Sequence, residues 1–192
     1  MPKISLKKIN SLKKNKIGIS ALTSYDASFA KLADNCGIDI ILVGDSLGEV
    51  IQGNSNTHSV TMDDMCYHTR IVSRGIKKAF LIADMPKNSY KTKNQALKNA
   101  KKLVAKNMAD MVKIEFKEKD IEIVEHLISH EILVCAHIGI LPQTIKNKSD
   151  YKKIGKTRDE ENRLINEAML IEKLGSQMLI VECVDEQVAR KI

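Results

Sequence analysis

Six ionisable side chains stand at or near the ends of short apolar runs in this sequence: Asp45, Asp84, Lys113, Glu115, His137 and Glu182. Asp45, Asp84 and Glu115 are carboxylates that close successive runs. Three acids gathered in a low-dielectric site repel one another unless something positive lies between them. A divalent cation meets that need, and all-oxygen ligation by a few carboxylates suits Mg2+. Lys113 lies two residues before Glu115 in an apolar stretch, so an extended chain points both to one face. A lysine on a buried face must be paired. Beside carboxylates and a metal it would anchor an anionic substrate or a developing oxyanion. Glu182 follows the apolar residues 179–181, where apolar surroundings would raise its pKa into a range useful for proton abstraction; it reads equally as a rim carboxylate in solvent. His137 reads as a hydrogen-bond donor to substrate, a general acid, or a satisfied polar residue at a rim. Any one strand-end acid is equally a helix cap or a loop hydrogen bond, and the lesser alternative for Lys113 is an edge-strand lysine in solvent. Taken together, the residues point to one reaction class. A metal and Lys113 hold a 2-oxo acid and stabilise its enolate, Glu182 takes the proton next to the carbonyl, and the enolate adds to an electrophile. No G-x-G-x-x-G, P-loop or G-x-S-x-G motif occurs, so dinucleotide, triphosphate and serine-hydrolase chemistry lack support.

The elements that must position these groups alternate along the chain. Residues 17–23 read as a strand; Asp26 caps a helix through Cys36, and Gly37 ends it. Residues 38–43 read as a second strand. Thr61 opens a helix to about Arg74, with Asp64 as the acid of a capping box and His68 a structural residue within it. Strands follow at 80–83, 111–115, 132–137 and 178–182, separated by helices at 93–107, 119–130 and 159–174, the last closed by Gly175. Asp185 starts another helix. The polar intervals 53–59 and 143–158 read as solvent-exposed connections or loops at a site.

Six β-then-α units with near-continuous apolar strands predict a parallel sheet covered by helices. A doubly wound sheet gathers its functional groups at one switch point, whereas a barrel aims every strand end at a shared site. Polar or ionisable residues finish all six strands, which predicts an α/β fold of the (β/α)8 TIM-barrel type. A typical barrel chain runs about 250 residues. Residues 1–192 are therefore expected to form a single, incomplete barrel domain of about six βα units, two short at the C-terminus. The exposed edges of its first and sixth strands would lower its stability.

Composition narrows the classes further. The chain has 192 residues, 43% hydrophobic and 29% charged, enough for one sizeable core and too apolar for a disordered tail. Its apolar runs are strand-sized, far below the ~18–20 residues that span a bilayer. A net charge of +7 invites a nucleic-acid partner, but only Arg70, Arg74, Arg158, Arg163 and Arg190 offer guanidinium forks and there is no Trp. No nucleic-acid or membrane partner is expected. Cys36, Cys66, Cys135 and Cys183 form no C-x-x-C pair and are expected to be reduced and buried, in a cytoplasmic protein without a signal peptide.

At these residues the sequence resembles the ketopantoate hydroxymethyltransferase (3-methyl-2-oxobutanoate hydroxymethyltransferase) family. The resemblance is carried by Thr23-Ser24-Tyr25-Asp26, Leu42-Val43-Gly44-Asp45-Ser46-Leu47-Gly48, Tyr67-His68-Thr69, Ala83-Asp84-Met85-Pro86, Met111-Val112-Lys113-Ile114-Glu115, His137-Ile138-Gly139 with Pro142-Gln143, and Val181-Glu182-Cys183. It implies a (β/α)8 barrel, assembled as a homo-oligomer (a decamer in the family), that transfers a hydroxymethyl group from 5,10-methylenetetrahydrofolate to 3-methyl-2-oxobutanoate. The product is 2-dehydropantoate, for pantothenate and coenzyme A biosynthesis. It also implies that Asp45, Asp84 and Glu115 form the Mg2+ site, that Asp45, Ser46, Asp84 and Lys113 contact the oxo acid with His137 close by, and that Glu182 accepts the proton. The sequence departs from the family pattern at Lys87-Asn88, Phe116-Lys117, Ala136 and Leu141, and lacks the glycine-rich segment after the sixth helix. The alternatives are a catalytically weak relic of this enzyme, or a barrel of the phosphoenolpyruvate mutase and isocitrate lyase type, whose K-K-C-G-H-type motif is absent.

Overall fold

The computed structural model describes residues 2–105, 108–145 and 147–192. Helix α1 (Leu6–Lys14) precedes strand β1 (Ala21–Thr23), and α2 (Ala27–Asn35) leads to β2 (Ile40–Val43). The short α3 (Leu47–Val50) and the long α4 (Met62–Gly75) follow, then β3 (Phe80–Asp84), α5 (Lys93–Val104), β4 (Met111–Glu115), α6 (Ile121–Ser129) and β5 (Val134–Gly139). The described chain closes with α7 (Arg158–Leu174), β6 (Met178–Glu182) and α8 (Glu186–Ala189). All six strands are parallel and stand in chain order, β1 to β6. A sheet that never reverses its strand order winds in one direction, as a barrel does, and has no switch point. Its two outer strands, β1 and β6, are the open edges of this sheet.

The two faces of the sheet bury different cores. Ile41, Leu81, Ala83, Val112, Ile114, Val134 and Ala136 face outward against the helices. Ile40, Phe80, Ile82, Met111 and Cys135 face inward, where Ile9 of α1 packs on them. This alternation follows from the period of two along a strand. It makes the concave face apolar low down and polar at the strands' carboxyl ends, where the same inward positions become Asp84, Lys113, Glu115 and His137. Register sets the neighbours: Asp84 pairs with Lys113, and Glu115 with His137.

The predicted caps are present. Asp26 accepts from the Ser28 and Phe29 N–H groups, Thr61 and Asp64 form a reciprocal capping box, and Gly175 ends α7 in the left-handed conformation at φ +87°. Several expectations are corrected. The first strand starts at Ala21, not residue 17, because the Ser20 N–H and hydroxyl bond the Asp39 carboxylate instead of a strand partner. Helix α6 begins at Ile121, since residues 118–120 form a 3-10 turn closed by Asp120 accepting from the Lys117 N–H. Helix α5 ends at Val104, and the last part of the predicted 93–107 segment lies outside the described residues. The 143–158 interval is not a bare loop: 3-10 turns occur at Pro142–Thr144 and Lys148–Asp150, and Ile154 bridges to Val184. All four cysteines are free, but only Cys135 is buried. Cys36 caps the exposed end of α2 and Cys183 leaves the sheet at φ +53°. No described helix is long and apolar enough to cross a membrane.

One buried carboxylate ties the helical layer to the sheet. Asp34, near the end of α2, accepts N–H bonds from Lys77 (3.1 Å), Lys78 (2.8 Å) and Ala79 (2.7 Å), just before β3. Burial pushes its carboxyl up, but the three donors prevail and hold it below its ordinary value. Its stabilising contribution is therefore present at neutral pH and is lost as pH falls through that lowered value. Asp34→Ala strands the three donors and is expected to cost about 2–4 kcal/mol in denaturant unfolding. A stability unchanged at pH 7 would show that these bonds are replaced by water.

Candidate active site

The inward positions at the carboxyl end of the sheet form one polar centre. Lys113, from β4, lies buried with its ammonium 2.6 Å from both oxygens of Asp84 on β3. Burial alone would push the Lys113 amine down, but Asp84, Asp45 and Glu115 together raise it above its usual value, so it stays charged. Asp45, just beyond β2, donates its N–H to Asp84 Oδ2 at 3.3 Å. Gly44 precedes it, and a Cβ there would crowd Ser46 Oγ at 3.0 Å while meeting Asp84 Oδ2 in ordinary contact at 3.8 Å.

The other two acids carry the consequence of that crowding. Burial, and then the neighbouring Asp84, push the Asp45 carboxyl up to about 7. Burial pushes Glu115 up to about 8. Glu115 Oε1 accepts the Gln143 N–H at 2.9 Å, while its Oε2 is buried with no hydrogen-bond partner among the described residues. Three acids facing one lysine leave a deficit of positive charge. Among the described residues, no group of three His, Cys, Asp or Glu side chains converges closely enough to hold a metal ion by itself. An incoming cation would therefore be held by some of these carboxylates, with oxygens from substrate or water completing its shell.

The remaining predicted residues surround the acids. Ser46 Oγ lies 2.6 Å from the Tyr25 hydroxyl, and the Tyr25 carbonyl meets His68 Nδ1 at 2.7 Å. His68 is structural, as expected, and holds the segment after β1 against the site. His137, on β5, is buried, and its Nε2 approaches Glu182 Oε2 at 3.3 Å. The alignment does not make a hydrogen bond, and both ring nitrogens lack a hydrogen-bond partner among the described residues. Of the two settings open to Glu182 the structure has the rim rather than apolar surroundings: its side chain is 36% exposed on the edge strand and faces an imidazole. Its main chain is fixed. The Ile140 N–H donates to the Glu182 carbonyl at 2.9 Å. Gly139, at φ +103°, comes so close that a Cβ would lie 2.1 Å from that oxygen, so no other residue fits there.

Sequence reading missed Gln143 and Tyr90. Gln143 is fully buried, its Nε2 donating to Asp45 Oδ2 and to the Met85 carbonyl, both at 2.9 Å. The Tyr90 hydroxyl donates to Gln143 Oε1 at 2.8 Å, and burial holds its phenolic proton well above the usual value. The only signal was the Pro142-Gln143 pair at the start of a polar interval, which has no chemistry until the chain is folded. A cavity of about 300 Å3 adjoins the site, lined by Glu115, Gln143, Lys87, Lys91, Lys117 and Lys119 among others.

Comparison with known proteins places this geometry. Residues 3–192 match the sequence profile of the ketopantoate hydroxymethyltransferase family. The whole chain is 44% identical to a 3-methyl-2-oxobutanoate hydroxymethyltransferase of Buchnera aphidicola and 46% identical to one of Nitrosococcus oceani, spanning 73% of the length of each. Among solved structures, a 2,3-dimethylmalate lyase of the PEP mutase/isocitrate lyase superfamily superposes with a TM-score of 0.70 at 13% identity, over 97% of this chain and 66% of that one. A phosphonopyruvate hydrolase crystallised with oxalate and Mg2+ superposes at 0.69, also at 13% identity, over 95% and 63%. These two likenesses establish the barrel-type fold.

The Lys113–Asp84 pair sets a stability test. Removing one partner of a buried ion pair strands the other charge, which typically costs about 3–5 kcal/mol. Lys113→Met is expected to lose that much, and adding Asp84→Asn is expected to recover part of it. A double variant as unstable as the sum of the single variants would contradict this pairing.

Proposed function

This chain belongs to the ketopantoate hydroxymethyltransferase family, and from that premise we propose that it transfers a hydroxymethyl group from 5,10-methylenetetrahydrofolate to 3-methyl-2-oxobutanoate. The single observation that carries the proposal is the Lys113–Asp84 pair standing beside two further buried acids, with Glu182 and His137 on the adjoining strands. A small 2-oxo acid brings a carboxylate and a carbonyl oxygen, and Lys113 is the buried cation on the concave face that would receive them. Mg2+ fits the donor set, because Asp45, Asp84 and Glu115 offer only oxygen and Glu115 Oε2 is unpartnered. Carboxylates drawn from Asp45, Asp84 and Glu115 would hold it together with substrate or water oxygens, and it would supply Lewis-acid polarisation of the 2-oxo group.

The chain's own residues supply the remaining steps. Glu182 takes the C3 proton of the oxo acid. Its partial exposure lets it pass the proton on to solvent. Buried His137 lies against one side of the Glu182 carboxylate, 3.3 Å from Oε2, and excludes water there. Lys113 faces the negative charge that develops on the oxo oxygen, in a low-dielectric site where that charge is felt most strongly. The C3 carbon then bonds to the methylene carbon of the folate as one of its two carbon–nitrogen bonds breaks, water displaces the second nitrogen and supplies the hydroxyl, and tetrahydrofolate leaves with the C3 proton and one water proton on its two nitrogens. The lysine-lined cavity beside Glu115 and Gln143 supports a place for the carboxylates of the folate. Assembly as a homo-oligomer in the cytoplasm belongs to the same reading, and the exposed Phe29 and Leu32 of α2 support association.

The proposal is tested by following loss of the C3 proton of 3-methyl-2-oxobutanoate in D2O by NMR, with and without Mg2+. Exchange is expected with Mg2+, falling at least about 100-fold in Glu182→Gln. Adding the folate should then yield 2-dehydropantoate. A folded chain that catalyses no exchange would contradict the enzyme reading and favour a catalytically weak form of the family.

A further inference from the structure

Gln143 touches both acids that flank the Lys113–Asp84 pair, and nothing in the reaction as described uses it. Its amide orientation is determined by its neighbours. Turned as observed, Nε2 gives its two hydrogens to Asp45 Oδ2 and the Met85 carbonyl, and Oε1 accepts from Tyr90. Flipped, Oε1 would face two acceptors, an arrangement with no hydrogen bond and direct repulsion. The main-chain N–H of the same residue occupies Glu115 Oε1. One residue thus takes one oxygen from each of two acids and leaves a second oxygen of Glu115 to the site. That oxygen is Oε2, buried and unpartnered among the described residues.

We propose that Gln143, oriented by Tyr90, is a positioning residue that presents Asp45 and Glu115 to a divalent cation. It lies on the connection after β5, yet it reaches back to the strand ends of β2, β3 and β4. It therefore couples the seating of that connection to the readiness of the acids. Tyr90 is the first residue of this relay, since its hydroxyl reaches Gln143 Oε1 at 2.8 Å and lies 3.5 Å from the Glu115 carbonyl. The inference rests on the Mg2+ reading given above.

Gln143→Met matches the side chain in length, removes only the amide, and keeps the main-chain bond to Glu115. Tyr90→Phe removes only the hydroxyl. Mg2+ alone is titrated calorimetrically into the full chain and each variant, with melting temperature measured in parallel. Outer partners of metal ligands typically carry about 10–100-fold in affinity, so Gln143→Met is expected to weaken Mg2+ binding by that factor. Tyr90→Phe should weaken it in the same direction by less. A Gln143→Met chain that melts lower but keeps the parental Mg2+ affinity would assign a purely structural role and overturn the proposal. A parent chain that binds no Mg2+ would overturn the metal reading and this inference together, whereas parental affinity in both variants would overturn this inference alone.

Discussion

A lysine buried among carboxylates is costly unless every charge is answered, and the pairing of Lys113 with Asp84 governs the rest of this site. The pair is fully desolvated and holds at 2.6 Å. Because it neutralises itself, it leaves Asp45 and Glu115 without a cation of their own, and burial pushes both carboxyls up, to about 7 and about 8. A buried ion pair of this kind contributes little net stability, since desolvation offsets the attraction. What it provides is a fixed positive charge on an otherwise acidic concave face. The surrounding geometry answers that requirement: Gln143 spreads its bonds over the acids that Lys113 does not reach.

The fold delivers these groups by register alone. In a parallel sheet of this stagger, Asp84 pairs with Lys113 and Glu115 with His137. Ile82, Met111 and Cys135 fill the layer beneath them. A shift of one residue in β4 would turn Lys113 and Glu115 outward onto the helices and bring Val112 and Ile114 into the site. The alternation of Met111–Glu115 is therefore both a folding signal and the positioning of the chemistry. Edge strands are less constrained, and Glu182, on β6, is accordingly held by its main chain rather than by its side-chain surroundings: Gly139 packs against its carbonyl and Ile140 bonds it.

Much of this was legible in the sequence, because strand runs, caps and inward alternation are local signals. The capping box of Thr61 and Asp64 and the left-handed Gly175 were readable from residue type and spacing. The inward pairing of Lys113 was readable from its place two residues before Glu115. What could not be read depends on contacts far apart in the chain. Helix α1 has an amphipathic face but is dominated by lysines, and its role in covering the low end of the sheet through Ile9 exists only after folding. Gln143 meets Asp45 across 98 positions, in a stretch whose composition says only that it is polar. Lys87 and Lys117, departures from the family pattern, acquire a shared meaning only when the β3 and β4 connections bring them to one cavity wall.

The central claim is that the site is one cation short and that a 2-oxo acid and Mg2+ complete it together. If so, each must strengthen the binding of the other by the same factor, as linkage requires. The direct measurement is the calorimetric affinity of the chain for 3-methyl-2-oxobutanoate at saturating Mg2+ and in chelator. The account predicts binding at least about tenfold tighter with the metal, matched by an equal gain in Mg2+ affinity when the oxo acid is present. Equal affinity under both conditions would contradict it, because Lys113 and the acids would then be sufficient without a shared cation.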